Sequence, residues 1–138
     1  MNPSSSGAEF IRQFLPTSPF VGHLGMQLVE MRPDAATLAL PFVPAVATLG
    51  DVVHGGAIAS LIDTAAMVAA WSGAEAPPNM RGTTVGMTVG YLAPANGEDV
   101  QAEARVLRRG RSLVYVDVEV HVASGGLVAK GLVTYKLG

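Results

Sequence analysis

Hydrophobic residues in this chain follow two periods, one typical of a helix and one typical of strands. The longest helical segment is residues 54–71, which contain no proline and are rich in Ala, Leu, Ile and Met. We expect an α-helix there that begins at Gly55 or Gly56. Its apolar residues cover every face instead of one stripe, as in a helix that other parts of the protein enclose on most sides.

Strand patterns lie on both sides of this helix. Before it, residues 26–31 and 36–40 are apolar stretches joined by a turn, which predicts a hairpin. After it, alternating apolar and polar positions predict strands in four segments, residues 83–92, 100–107, 114–122 and 127–137. Two strands before one long helix and about four after it indicate an α+β fold, in which an antiparallel sheet wraps around a central helix.

The remaining segments are rich in proline, glycine and serine. Residues 1–7 are expected to form a disordered tail, and residues 8–138 a single domain that starts with a short amphipathic helix over residues 8–15. Loops or irregular structure are predicted for three segments, residues 18–25, 41–51 and 72–82.

The strand predicted at residues 83–92 has a bulky face and a small face. Strict alternation places on the bulky face Val85, Met87, Val89 and Tyr91, and on the small face Thr84, Gly86, Thr88 and Gly90. A face this small lets another backbone or a ligand approach closely. The Thr84 hydroxyl is a candidate to hold a water or a carboxylate, although ordinary strand preference also explains a threonine there.

Composition narrows the possible functions. A net charge of −2 over 138 residues gives no attraction to nucleic acid or to anionic membranes, so we expect neither as a partner. The absence of cysteine excludes disulfides, thiolate catalysis and zinc-thiolate sites. Charged residues make up only 14% of the chain and hydrophobic residues 49%, which favours a homo-oligomer that buries apolar surface between subunits. The first residues carry no signal-peptide pattern, so we expect a cytoplasmic location.

Asp63 is the main candidate for chemistry. A carboxylate near the middle of a buried helix is costly unless it is paired, hydrogen-bonded or used in a reaction. The alternative to catalysis is a carboxylate that caps or salt-bridges another group inside a dimer. The start of the helix favours catalysis, because Gly55 and Gly56 leave backbone N–H groups open to an anion or a developing oxyanion. Turn geometry alone also explains two adjacent glycines.

The spacing of these groups predicts a site shared between two subunits. Eight residues separate Gly55 from Asp63, so the two lie about 12 Å apart along one helix. A donor that polarises a carbonyl and a carboxylate that acts on it must both lie within about 4 Å of the reacting group. One chain cannot supply both groups to one site, whereas two antiparallel helices across a two-fold axis can.

His54 is a candidate base, metal ligand or hydrogen-bonding group at the start of the helix. No second histidine or carboxylate stands at metal-ligand spacing from it, so we expect no metal and favour the hydrogen-bonding role. We assign no function to His23 or His121. Residues 108–111 form a basic turn with three arginines, which is usually a solvated hairpin tip and alternatively binds phosphates.

These motifs resemble the hotdog-fold acyl-CoA thioesterases of the PaaI-like, phenylacetate-pathway branch of the 4-hydroxybenzoyl-CoA thioesterase superfamily. The resemblance rests on the His-Gly-Gly at residues 54–56, the acid nine residues after that histidine, the Tyr-Leu-Ala-Pro at residues 91–94 and the Gly110-Arg111 turn. It implies a five- or six-stranded sheet around one helix, subunits paired as dimers or tetramers, and hydrolysis of acyl-CoA. No separate cofactor is implied, since coenzyme A is part of the substrate.

The resemblance also implies roles for individual residues. Gly55 polarises the thioester carbonyl through its N–H, and Asp63 of the opposite subunit acts as general base or as nucleophile. Thr84 helps to hold the water or the acid. Gly110 and Arg111 correspond to a turn near the CoA nucleotide.

Two positions depart from the family pattern. Relatives often carry Asn or Gln six residues before the histidine to orient substrate or water, and this chain has Thr48 there. Thr48 either performs this task more weakly or changes the rate and substrate range. The glycine usual three residues before the histidine is Asp51 here, with Gly50 beside it. We expect Gly56, at the helix start, to contact the substrate. Two other classes stay open, a hotdog hydratase or dehydratase and a non-catalytic acyl-CoA-binding module. The His-x-x-Gly-x-Pro pattern of fatty-acid dehydratases is absent from the sequence.

Overall fold

The computed structural model describes residues 6–138 of the chain. Its helices are α1 (Gly7–Phe14), α2 (Pro19–Leu24) and α3 (Gly55–Ser72). Its strands are β1 (Gln27–Arg32), β2 (Ala35–Leu40), β3 (Ala47–Leu49), β4 (Val52–Val53), β5 (Gly82–Tyr91), β6 (Val100–Arg109), β7 (Leu113–Val122) and β8 (Leu127–Leu137). Short 3-10 turns occupy Leu15–Thr17 and Pro44–Val46.

Six of the strands form one antiparallel sheet in the spatial order β1-β2-β6-β7-β8-β5. The short strands β3 and β4 pair with each other in a separate ladder. Helix α3 packs on one face of the large sheet and contacts all six of its strands. The predicted α+β fold, a sheet wrapped around a central helix, is therefore confirmed. Strands β1 and β5 are the two edges of the sheet.

The core lies between α3 and the inner face of the sheet. Alternate residues of β7 point at the helix and are at most 1% exposed, namely Val114, Val116, Val118 and Val120. Gly131 on β8 permits the closest approach of the helix, because a Cβ there would lie only 2.7 Å from Ile62 Cγ2. With 18 residues and a mean hydropathy of 1.2, α3 is long and apolar enough for a membrane span, but 61% of it is buried within the protein. It serves here as the core helix.

Three segments differ from the sequence-based prediction. Residues 18–25 are not a loop but contain α2, which starts with Pro19 in its first turn and ends at Gly25 with φ 74°. Residues 41–51 are more regular than expected, because β3 pairs there with β4. Helix α1 begins at Gly7 with Ser6 as its N-cap, so two residues of the predicted tail belong to the helix start. Residues 1–5 of that tail lie outside the described residues.

Candidate active site

Asp63 and Thr84 form a hydrogen-bonded pair between α3 and β5. The Thr84 hydroxyl donates to Asp63 Oδ1 at 2.6 Å, and both residues are partly buried. Among residues 6–138, no salt bridge reaches Asp63, and its Oδ2 accepts no hydrogen bond. Within one chain, the carboxylate is therefore held by one neutral donor and keeps one oxygen open.

A β-bulge at Val85 brings Thr84 to Asp63. In the β5–β8 ladder, Thr84 and Gly86 lie opposite successive residues of β8, so Val85 is the extra residue. The bulge shifts the alternation by one position, and Thr84 shares the inner face with Met87. The assignment of Thr84 to the opposite, small face is wrong, because strict alternation does not hold across a bulge.

The first turn of α3 presents one backbone donor without a partner. His54 is the N-cap residue, and its Nδ1 accepts a hydrogen bond of 2.7 Å from the Gly56 N–H. The amides of Ala57 and Ile58 donate to the His54 carbonyl oxygen at 2.9 and 3.1 Å. Within the described part of the chain, the Gly55 N–H has no acceptor. It is thus the free donor at the positive end of the helix dipole.

Tyr91, at the end of β5, contacts the same turn. Its hydroxyl donates to the Gly55 carbonyl oxygen at 2.6 Å. A Cβ on Gly55 would lie 3.3 Å from Cζ of the Tyr91 ring, so a glycine there permits the close contact. The sequence pattern indicated the strand face of Tyr91 and its place in a strand-end motif, but no role in the site. The alternation of apolar and polar residues along a strand indicates which face of the sheet a side chain lies on. It does not indicate which backbone atom the Tyr91 hydroxyl contacts.

One chain therefore holds two separate centres. Asp63 with Thr84 forms one, and Gly55 with Tyr91 forms the other, eight residues or about 12 Å away along α3. Between them on β5, Met87 is 42% exposed although it is apolar and lies on the edge strand of the sheet. An exposed apolar edge strand is a surface that another chain can cover.

Thr48 lies near the start of α3. It is exposed on β3, whose neighbour β4 ends directly before the helix. The His54 N–H donates to the Val46 carbonyl oxygen at 2.8 Å, which attaches this ladder to the Gly55 centre. The Thr48 hydroxyl makes no hydrogen bond within residues 6–138.

Gly110 and Arg111 lie at the other end of α3, in the turn between β6 and β7. The preceding Arg109 donates to the Ala70 carbonyl oxygen in the last turn of the helix at 2.9 Å and to Asp34 Oδ1 at 2.7 Å. Arg109 thus stabilises the negative end of the helix dipole. Arg111 is exposed and lies in this turn near the last turn of α3, whereas the Gly55 centre is at its first turn.

A buried pair adjoins the Asp63–Thr84 centre. Tyr135 lies opposite Thr84 in the ladder, and its hydroxyl accepts a hydrogen bond of 2.9 Å from Trp71 Nε1. Burial raises the pKa of Tyr135 above its ordinary value, and the negative charge of Asp63 raises that pKa further, while the Trp71 hydrogen bond lowers it. Tyr135 therefore stays neutral at physiological pH.

A charged cluster that sequence spacing did not reveal occupies the outer face of the sheet. Glu103, Glu119 and His121 each place one possible metal-ligand atom within 4.8 Å of the others. They come from adjacent strands, so their proximity depends on the register of β6 and β7. Lys130 forms salt bridges of 3.1 Å to Glu119 and 2.8 Å to Asp117, and the Asp117 hydrogen bond raises the pKa of Lys130. This cluster lies on the face of the sheet away from α3.

Comparison with known proteins assigns the chain to a family. Residues 50–129 match the family model described as the thioesterase superfamily. The chain belongs to this superfamily. The match to the thioesterase superfamily includes both centres, because Gly55, Asp63, Thr84 and Tyr91 all lie within residues 50–129.

Its relatives agree with that assignment. The Escherichia coli medium/long-chain acyl-CoA thioesterase YigI is 30% identical over 138 residues, covering 91% of this chain and 89% of that protein. Human acyl-coenzyme A thioesterase 13 is 35% identical over 88 residues, 62% of this chain, and the match spans only 61% of the human protein's length. The E. coli PaaI structure, 20% identical, covers 97% of this chain and 95% of its own with a TM-score of 0.83, which shows the shared fold. The resemblance to PaaI-like hotdog proteins is confirmed.

Proposed function

We propose that this protein hydrolyses acyl-CoA thioesters to a free acid and coenzyme A. The observation that carries the proposal is the Asp63 carboxylate, which has one neutral donor, one open oxygen and no cation paired with it among the described residues. The free Gly55 N–H at a helix start supplies the complementary group, a donor for an oxyanion. Membership of the thioesterase superfamily supports the assignment of these groups to thioester hydrolysis.

In the proposed mechanism, the thioester carbonyl oxygen accepts a hydrogen bond from the Gly55 N–H. Asp63 takes a proton from a water held near Thr84, and the water oxygen bonds to the carbonyl carbon. The C–S bond then breaks, and the proton held by Asp63 passes to the CoA sulfur. Alternatively, Asp63 attacks the carbonyl carbon directly, the C–S bond breaks to release the CoA thiolate, and water then hydrolyses the mixed anhydride. His54 acts as the hydrogen-bonding cap of the helix start.

We further propose that each site forms between two copies of the chain. Strand β5 is an edge of the sheet, and its ten residues can pair with the β5 of a second copy. A two-fold axis at Thr88, together with the bulge at Val85, would place Thr84 of one copy opposite Tyr91 of the other. That pairing makes the α3 helices antiparallel, so the Gly55 centre of one copy faces the Asp63 centre of its neighbour.

The names of the relatives suggest which acyl-CoA substrates to test. YigI is named as a medium/long-chain acyl-CoA thioesterase and is similar over most of both chains. We propose aryl- or medium-chain acyl-CoA as the substrate, with Thr48 and Gly56 near the thioester and with Gly110 and Arg111 near the CoA nucleotide. Cytoplasmic location and independence of any cofactor stay predictions.

Release of free thiol from aryl-, short-, medium- and long-chain acyl-CoAs tests the proposal. We expect Asp63→Asn to keep substrate binding but to lose about 100- to 10,000-fold in kcat, because the base is removed. Glu103→Gln is the matched control, since it removes an exposed carboxylate from the outer face of the sheet.

Three results would contradict the proposal. Asp63→Asn turnover close to the wild-type value would remove the assigned base. Wild-type protein that binds acyl-CoA without releasing thiol would instead be a binding module. Consumption of an enoyl-CoA without thiol release would indicate a hydratase.

A further inference from the structure

We propose that Tyr91 is a positioning residue that fixes the direction of the Gly55 N–H. This inference rests on the proposed function, because it concerns the donor assigned to the thioester carbonyl. Two side chains hold the single peptide unit that joins Gly55 to Gly56. Its carbonyl oxygen accepts the Tyr91 hydroxyl at 2.6 Å, and its N–H donates to His54 Nδ1 at 2.7 Å.

This peptide unit lies where the backbone is least restrained. Glycine on both sides permits a wide range of φ and ψ, and the first turn of a helix has no preceding turn to accept its N–H groups. Adjacent peptide units share the Gly55 Cα. The chain before Gly55 is held as well, because the His54 N–H donates to the Val46 carbonyl oxygen. Fixing the unit after Gly55 therefore limits the φ and ψ of Gly55 together, and these two angles set where its free N–H points.

The Tyr91 hydrogen bond does more than satisfy a buried carbonyl. Within α3, the Gly55 carbonyl is already the regular partner of the Ala59 N–H. Tyr91 is 53% exposed in the single chain, so its ring is not part of one subunit's core, and only the proposed β5 pairing would cover it. The Gly55 carbonyl already has a partner, and Tyr91 lies outside the core of its chain. A second, short hydrogen bond from Tyr91 therefore mainly makes this peptide unit more rigid. Preorganised donors of this kind lower a barrier because they need no rearrangement during the reaction.

Tyr91→Phe tests this role, because it keeps the ring against Gly55 and removes only the hydroxyl. We expect kcat for thiol release to fall about tenfold, a fraction of the effect of losing the whole donor, with KM changed less than about twofold. Tyr115→Phe is the matched control, since Tyr115 is a half-exposed tyrosine on the outer face of β7. A raised KM with unchanged kcat would show substrate contact instead and would overturn the inference.

Amide exchange measured by NMR tests the same role without activity. In Tyr91→Phe we expect faster exchange of the Gly56 amide and unchanged exchange of the Ala66 amide in the middle of α3. Unchanged Gly56 exchange would overturn the inference even if kcat fell. If the wild type released no thiol, the proposed function would fail, whereas Gly56 exchange would still decide whether Tyr91 holds the peptide unit.

A double-mutant cycle with His54 separates a shared action from two independent ones. Because Tyr91 and His54 hold the same peptide unit, the kcat losses of Tyr91→Phe and His54→Ala should be non-additive in the double variant. His54→Asn should recover part of the His54→Ala loss, since asparagine also caps a helix N-terminus. Strictly additive losses would show that the two side chains act independently and would overturn the shared role.

Discussion

The Thr84 hydroxyl restrains the Asp63 carboxylate from a neighbouring element. A carboxylate on a helix can adopt several rotamers, and one hydrogen bond of 2.6 Å from β5 selects among them. Oδ1 accepts this hydrogen bond, and Oδ2 has no partner among the described residues. In the proposed mechanism, Oδ2 is therefore the oxygen that acts on the water or the substrate.

Thr84→Val should lower kcat about tenfold or more, because a hydrogen bond to a charged group contributes about 1.5 to 3 kcal/mol. Thr84→Ser keeps the hydroxyl and should retain most of the activity. Thiol release measured for both variants at saturating acyl-CoA checks this. Equal activity of Thr84→Val and Thr84→Ser would show that the hydrogen bond does not contribute to turnover.

Residue chemistry explains which parts of the site could be predicted. Asp63 and Gly55 are visible in the sequence because a charge inside an apolar helix and a glycine pair at its start both depart from local expectation. The face of Thr84 was not predictable from alternation, because the bulge at Val85 reverses the alternation and the sequence pattern does not show where a bulge occurs. The Tyr91 contact depends on the tertiary distance between β5 and α3, which local pattern does not contain.

At the scale of elements, α3 is held at both ends by side chains that lie outside the helix. His54 caps its start, and Arg109 from β6 donates to a carbonyl of its last turn. The sequence predicted this helix and the four long strands after it, because each has a sustained period. It missed α2 and the β3–β4 ladder, which are too short for a period to develop.

Strand β8 contacts α3 through the buried Tyr135–Trp71 hydrogen bond, and this contact makes stability depend on pH. Burial raises the pKa of Tyr135, so the folded state keeps a proton that the unfolded chain loses as pH rises above 10.0. The stabilisation is therefore complete below pH 10.0 and is lost as pH rises through the raised pKa. Lys130, whose pKa is also raised, adds a loss in the same direction.

Tyr135→Phe should lower the free energy of unfolding at pH 7 by about 1 to 3 kcal/mol, because the buried Trp71 N–H loses its acceptor. Above pH 10.0 its stability should fall less steeply than that of the wild type. Urea denaturation from pH 7 to 11 measures both effects, with Tyr115→Phe as the exposed control. Parallel curves for Tyr135→Phe and the wild type would contradict a contribution of Tyr135 to the alkaline loss.

At the scale of the whole molecule, the separation of the two centres is the strongest argument for a dimer. Helix geometry keeps Gly55 and Asp63 about 12 Å apart in any single chain. The β5 edge, with its exposed apolar residues, offers a surface through which a second copy can supply the missing half. The composition favoured an oligomer, and the proposal that β5 is the paired edge depends on the structure, because β5 is an edge strand that carries Thr84 and Tyr91.

Subunit complementation tests this arrangement, because the two halves of a shared site can be inactivated in different chains. Gly55→Pro removes the free N–H at the first helical position, where proline is tolerated. The added Cβ would lie 3.3 Å from Cζ of Tyr91, so the exposed Tyr91 ring has to shift slightly to accept it. His54, with φ −60° and ψ 132°, already has the extended backbone that a residue before proline requires. Asp63→Asn removes the carboxylate. Each variant alone should be inactive.

In a random mixture of these two chains, half of the dimers contain both variants, and each such dimer has one intact site of two. Refolding an equal mixture should therefore restore about a quarter of the wild-type activity. A mixture of Asp63→Asn and Asp63→Ala, both defective at the same centre, should restore none. If Gly55 and Asp63 of the same chain formed the site, no mixed dimer would hold an intact pair, and the first mixture would stay as inactive as its components.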